Sequence, residues 1–247
     1  MKLLVGSVFF DHIRSDIWYQ LQIKYLRYTT MNFDHVVYLN GTDDFYSDSQ
    51  VLKVDPTNQI SPQHGHVRGL NFIIEYFNSH LEYDALLLLD SDSFPIQQGW
   101  HDKLLRSMDR FNTAAVVRSE NLDTFAHPCV FFVKRPAAFQ LKFGNFSQQN
   151  FMGHKFNDTS SNTKDFYPLL RTNKLNHHPI LYGIYWHCFY HHGAGSRDLL
   201  FRRDDYLPEL QNPIFKDSYL FGELVKDSEK FISDISYVPL FRKIKLC

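Results

Sequence analysis

Two carboxylates stand two residues apart where an apolar run ends. Leu86-Leu87-Leu88-Leu89 leads directly into Asp90-Ser91-Asp92. Side chains at i and i+2 just beyond a strand can reach one cation together. Hard divalent ions take carboxylate oxygens, keep several waters and fill the rest of their shell with phosphate oxygens. An ion held in this way bridges the diphosphate of a nucleotide and neutralises charge on a leaving group. The plainer alternative is that Asp90 and Ser91 only cap a turn, since short Asp-x-Asp strings are common.

The flanking sequence predicts what positions these acids. Residues 2–10 read as a first strand, and 15–30 as a helix with Ile17, Leu21, Tyr25 and Tyr28 at helical spacing. Ser15 or Asp16 is its N-cap candidate. Strands follow at 34–41, stopped by Asn40-Gly41, and at 50–56, closed by Pro56. A helix over 66–81 carries Leu70, Ile73, Ile74 and Phe77 on one face, and 84–90 is the central strand. Strands alternating with helices imply an α/β fold with a mostly parallel central sheet flanked by helices. Ligands then bind beyond the carboxyl ends of the strands, where Asp90 and Asp92 sit. Further on, the pattern predicts a helix over 98–111 and strands over 114–120 and 129–135. A polar loop over 144–165, a short helix over 167–175 and an aromatic strand within 179–197 follow. Pro168 suits the first turn of that short helix. The last 50 residues are mixed in pattern and give no clear elements.

Bulk composition narrows the function classes. The chain has 247 residues, 44% of them apolar, enough for a sizeable core. No repeat or linker marks a boundary, so a single domain over 1–247 is expected. Lys and Arg (26) nearly cancel Asp and Glu (27), and no basic run argues for a nucleic-acid partner. Cys129, Cys188 and Cys247 are odd in number and widely spaced. That disfavours a disulfide framework or zinc knuckle and points to a reducing, cytoplasmic setting. The N-terminal apolar run reads as a strand and not a signal peptide. No run of about 18 apolar residues predicts a transmembrane segment.

Several segments, taken in order, resemble the nucleotide-sugar domain of GT-A glycosyltransferases, most of all the inverting family 2. The second strand is followed by Gly41-Thr42-Asp43-Asp44. His64-Gly65-His66-Val67-Arg68-Gly69-Leu70-Asn71 opens the next helix. The apolar strand ends in Asp90-Ser91-Asp92, and Pro95 and Trp100 come after it. The resemblance covers residues 1–135 well and the second half loosely. It implies a nucleotide-sugar-binding half over 1–112 and a mixed acceptor-side half over 113–247. It implies a base-reading turn at Asp43 or Asp44, and donor contacts from His64, Gly65, Arg68, Asn71 and Ser91. The cation would be Mn2+ or Mg2+, the donor a nucleoside-diphosphate sugar, with UDP-sugar expected, and the acceptor a glycan or other hydroxyl.

In the second half, His127 to Phe139 looks like the acceptor-side strand of that family. His191-His192-Gly193-Ala194-Gly195-Ser196 resembles its late His-x-Gly-Gly-x-Ser segment. The match places His191 on the metal, with His192 and His187 as reserves. Imidazole beside two carboxylates tilts a site toward manganese. Packing within an aromatic strand is the competing reading. Arg197 is a candidate diphosphate partner, because a guanidinium pairs bidentately with phosphate. Inverting transfer needs a carboxylate to deprotonate the acceptor hydroxyl. The family's usual acidic motif is absent here. Asp158-Thr159-Ser160 and Asp165 offer the base, with Glu120 and Asp123 behind them, although either of the first two also suits a helix N-cap. The alternative enzyme is a haloacid-dehalogenase-like phosphatase with Asp90 as nucleophile, which matches the apolar Asp-x-Asp string but expects it on the first strand.

Overall fold

The computed structural model describes residues 1–10, 15–40, 48–55, 62–118, 125–144, 148–149, 155–156, 161–172, 183–192 and 217–236. The first half runs β1 (Leu3–Phe10), α1 (Ser15–Thr29), β2 (Phe33–Asn40), β3 (Gln50–Asp55), α2 (Pro62–Ser79), β4 (Ala85–Asp90), β5 (Ser93–Pro95) and α3 (Trp100–Met108). Then come β6 (Thr113–Val116), β7 (His127–Lys134), α4 (Arg135–Ala138), β8 (Gln148–Gln149), β9 (Lys155–Phe156) and β10 (Tyr167–Leu169). The hairpin strands β11 (Gly183–Tyr185) and β12 (Phe189–His191) follow, and α5 (Asp217–Lys226) and α6 (Ser228–Ile235) complete the described elements.

Seven strands form one sheet in the order β10-β6-β7-β4-β1-β2-β3. Strand β1 pairs in parallel with both β2 and β4, β2 with β3, and β10 with β6. Strand β7 runs against its neighbours β4 and β6. The expected α/β architecture is therefore present: a mostly parallel central sheet with helices on its faces. The sheet draws strands from both halves of the chain.

The four-leucine run follows from this layering. Leu86 and Leu88 face α2, in a cluster with Leu70, Ile73, Ile74 and Phe77. Leu87 and Leu89 face the other side, with Trp100, Leu104 and Met108 of α3. A strand covered on both faces loses the polar alternation of a half-exposed one. Helix α2 packs closely on the sheet. Gly65, Gly69 and Ile73 are four residues apart and form one ridge. A Cβ on Gly65 would strike the Asn40 amide, one on Gly69 would sit 2.6 Å from Val8 Cγ2, and the Ile73 side chain fills the space above Gly6.

The structure departs from the sequence reading in three places. Residues 167–169 are strand, not helix. Strand β10 is an edge strand, and Pro168 is exposed there, where a missing N–H is tolerated. The aromatic segment is a hairpin. Its strands join β5 in a second, antiparallel sheet of order β11-β12-β5. The chain's last described stretch forms α5 and α6, whose Leu224, Phe231, Ile232 and Ile235 pack on Trp18, Ile23 and Tyr25 of α1. Among the described residues no helix is long and apolar enough to cross a membrane. Cys129 and Cys188 are buried, and neither is joined in a disulfide among the described residues.

A line of polar side chains, buried except for the half-buried Ser49, crosses between α1 and the sheet. Tyr19 Oη lies 2.8 Å from Ser49 Oγ, and Ser49 Oγ lies 2.7 Å from His35 Nδ1. His35 Nε2 is 3.3 Å from Ser7 Oγ, which donates to Gln22 Oε1 at 2.8 Å. Gln22 Nε2 then donates to the carbonyl oxygens of Asp90 (3.0 Å) and Ser93 (2.8 Å). Burial pushes the His35 imidazole down to about 3, below its ordinary 6.5. The folded state therefore prefers the neutral ring. Its contribution is complete above the unfolded value and is lost as pH falls from 6.5 toward 3. At about 1.4 kcal/mol per unit, His35 should cost about 2 kcal/mol of stability between pH 7 and pH 5. Urea unfolding at both pH values checks this. His35→Gln should shrink the pH 7 to pH 5 difference by that amount, and an unchanged difference would refute it.

Candidate functional site

Strand β4 delivers Asp90 at its carboxyl end, and a tight turn over Ser91 and Asp92 leads into β5. Strand β12 pairs antiparallel with β5, in the register His191 with Ser93 and Tyr190 with Phe94. This pairing is what carries a histidine from a hundred residues downstream alongside the two acids. His191 Nε2 is 3.8 Å from Asp90 Oδ2 and 3.6 Å from Asp92 Oδ1. One ligand atom from each of Asp90, Asp92 and His191 lies within 4.8 Å of the others.

The acids are not exposed at the sheet edge, as a free turn would leave them. Asp92 is 3% exposed, and the Asp90 side chain is 21% exposed. The hairpin covers them, and His192 N donates to Asp92 O at 3.1 Å. Burying two carboxylates is costly unless positive charge or hydrogen bonds offset it. His66, on the first turns of α2, places Nε2 3.2 Å from Asp90 Oδ1. That contact is off the line of a well-directed hydrogen bond, and Asp90 Oδ1 is buried without one. Burial alone would raise Asp90, but His66 contact and charge, with His191 and His127 beyond, hold it well below the usual carboxylate range. An ionised, half-buried carboxylate with an unfilled oxygen, a second carboxylate and an imidazole form a donor set that could hold a divalent cation.

His127 completes the wall. It stands at the start of β7, with its ring centroid 6.2 Å from that of His191. Cys129 N donates to His127 Nδ1 at 3.1 Å, so the ring proton sits on Nε2. Burial, then the nearby Arg118 charge, lower His127 well below an ordinary histidine, against the opposing pull of Asp90. It is a neutral donor. Neither His66 nor His127 was singled out as a site residue from sequence, though both lie inside the segments that carried the resemblance. A histidine at the opening of α2 and another opening the strand beside β4 were the available signals.

Other expected residues are placed differently. The imidazole of His192 points the opposite way, bonded to Tyr190 Oη at 2.7 Å and packed on Trp18 at 4.9 Å. Strand alternation sends it away from its neighbour His191. His187 lies at the far end of the hairpin, in a turn where Trp186 and His187 have φ of 52° and 57°. Asn71 has both ends of its amide engaged: Nδ2 donates to Phe143 O and Oδ1 accepts from Phe143 N, each at 2.9 Å. Gly65 serves the close approach of α2 to the sheet. Ser91 is buried in the turn, and Arg68 is exposed on α2.

Asp165 precedes β10, whose Tyr167 pairs with Ala114 and whose Leu169 pairs with Val116. It therefore flanks the end of the sheet opposite Asp90, and β10 itself lies three strand spacings, about 14 Å, from β4. The fold therefore does not bring Asp165 together with the acidic turn. Asp43, Asp44, Glu120, Asp123, Asp158 and Arg197 lie outside the described residues, as does the His64 side chain. The phosphatase reading expects its nucleophile on the first strand, whereas Asp90 ends β4.

No known family model matches the chain, and no curated protein does. Solved structures similar to it include A197 from STIV, at 11% identity and TM-score 0.35, covering 57% of this chain and 68% of that one. A glycosyltransferase involved in glycosylation of the major capsid of PBCV-1 is similar at 15% identity and TM-score 0.35, covering 57% and 63%. Residues 1–349 of S. aureus TarS in complex with UDP are similar at 15% identity and TM-score 0.34, covering 47% of this chain and 35% of that one. The chain thus spans less than two thirds of the second and about a third of the third. At such scores the likeness says nothing of chemistry, which the chain's own residues must carry.

Proposed function

We propose that the chain is a metal-dependent glycosyltransferase. It moves a sugar from a nucleoside-diphosphate sugar, UDP-sugar first, to an acceptor hydroxyl, with inversion, in glycan or polysaccharide synthesis. One observation supports this above the rest. The acidic turn lies at the carboxyl end of a central parallel strand, where α/β folds bind nucleotides, and His191 is delivered beside it by an independent hairpin. Asp90, Asp92 and His191 would hold Mn2+ or Mg2+, and the ion would neutralise charge on the departing diphosphate. His66 braces Asp90. His127, with its proton on Nε2, offers a neutral donor in the same wall. The base that takes the acceptor's proton is assigned to Asp158, the sequence candidate nearest in pattern to the family's motif.

The test is a thermal-shift screen of nucleoside diphosphates with and without Mn2+. A ligand at a hundred times its Kd stabilises by about 2.7 kcal/mol, so UDP with Mn2+ should raise the midpoint clearly and UDP alone should do less. A screen in which no nucleoside diphosphate shifts the midpoint would remove the donor assignment. Asp158→Asn should keep the UDP–Mn2+ shift and lower transfer by about two to four orders of magnitude. Normal transfer in that variant would move the base elsewhere.

A further inference from the structure

Gln22 is fully buried, and nothing in the sequence reading gave it a role. Its position is unusual for a core polar residue. The side-chain amide reaches the carbonyl oxygens of both Asp90 and Ser93, the first and last residues of the turn that presents the acids. Carbonyls only accept, so the NH2 group must face them, and both of its hydrogens are used. Oε1 must then face Ser7, whose hydroxyl donates to it.

The remaining protons follow by elimination. With the Ser7 hydroxyl hydrogen spent on Gln22, the ring of His35 must donate to Ser7 through Nε2. Neutral His35 then accepts at Nδ1 from Ser49, and Ser49 accepts from the Tyr19 hydroxyl. The line therefore has one direction, from the Tyr19 hydroxyl to the two turn carbonyls. Reversing Gln22, Ser7 or His35 would strand a buried donor or acceptor, which costs more than a normal hydrogen bond gains. Glutamine also brings no charge to the back of the turn, so it holds the backbone without competing for the carboxylates.

We propose that Gln22 is the positioning residue for the cation site. By pinning both ends of the turn, it fixes the separation of the Asp90 and Asp92 carboxylates against His191. Ser7 and His35 keep its amide in the working orientation. The inference rests on the cation reading of that site and extends it to the residue behind it.

Mn2+ affinity tests this directly, measured by titration of the folded protein well below its melting midpoint, with no donor or acceptor present. Gln22→Met keeps the volume and removes the clamp. Its Mn2+ Kd should rise about 10–100-fold, the usual effect of losing a partner that orients a ligand. Ser7→Ala, which keeps the strand pairing and removes the hydroxyl bonded to Gln22, should give a smaller rise in the same direction. Leu104→Ala in α3 is the control: it weakens the core without touching the turn, and its Kd should match the wild type. A Gln22→Met Kd within about threefold of wild type would overturn the proposal. So would an equal rise in Leu104→Ala, since the effect would then be general loosening. If Gln22→Met does not fold, Ser7→Ala decides, and an unchanged Kd there overturns the role. A wild-type protein that takes up no Mn2+ would sink the cation reading itself, and this inference with it.

Discussion

Asp92→Asn is expected to lower sugar transfer by about a thousandfold or more. The change removes a charge from the cation's donor set while leaving the side chain's size intact. Metal stabilisation of a leaving group is worth several kcal/mol, and each 1.4 kcal/mol is about tenfold in rate. The variant should be less simple than a surface change, because Asp92 is 3% exposed and sits under the hairpin. Its amide would bring an N–H2 group into a pocket shaped for an acceptor. Circular dichroism and a melting curve should accompany the turnover assay. His192→Ala is the informative comparison, since its ring faces Trp18 and not the acids. It should cost stability and leave Mn2+ uptake per folded molecule unchanged. If Asp92→Asn keeps most of its transfer with Mn2+ present, the acidic turn has another purpose.

The largest stability effect should come from Trp100→Ala, at about 3–5 kcal/mol. Trp100 is fully buried. It meets Phe189 edge-on at 4.9 Å and Phe132 at 6.3 Å, and its indole N–H donates to Thr30 Oγ1 at 3.0 Å. Truncation opens a cavity between the central sheet, α3 and the hairpin, and leaves the Thr30 hydroxyl with only its Thr29 partner among the described hydrogen bonds. Against a total of roughly 5–15 kcal/mol for a folded domain, that is a large fraction. Urea midpoints at constant slope give the number. Trp100→Phe should lose less, because it keeps most of the packing. A loss under about 1 kcal/mol for the alanine variant would mean that the neighbouring rings collapse into the space.

That tryptophan also shows what the sequence could and could not convey. Its place after the acidic turn contributed to a family resemblance, yet its work here is to pack α3 onto the sheet. The alternation of strands and helices in the first half was legible because each strand is covered on two faces and reads as an apolar run, while each helix shows one apolar stripe. Strand β10 was not, because a proline and a tyrosine at a sheet edge satisfy a helix start equally well. Helix α6 carries a local signal in the sequence: Asp227 caps it by accepting from Lys230 N at 3.0 Å, ahead of Phe231, Ile232 and Ile235. Within the candidate site, Asp90 and Asp92 announced themselves by spacing. The choice between His191 and its neighbour depended on hairpin register. His66, His127 and Gln22 depended on which strands and helices end up side by side. Those relations are set by long-range pairing, and no local pattern encodes them.

The ridge on α2 has a consequence beyond packing. Gly65 and Gly69 carry no functional group, yet they bring the helix close enough for His66, between them in sequence, to come within 3.2 Å of Asp90. The first extra methyl on that ridge would wedge the helix off Val8 and Asn40 and draw the imidazole away from the acid. In an evolving lineage these two positions would therefore drift no faster than the ligands, although neither meets a substrate. A search for the protein's working parts by chemical type would pass over both. The distance at which a helix lies is inherited through what its closest residues lack.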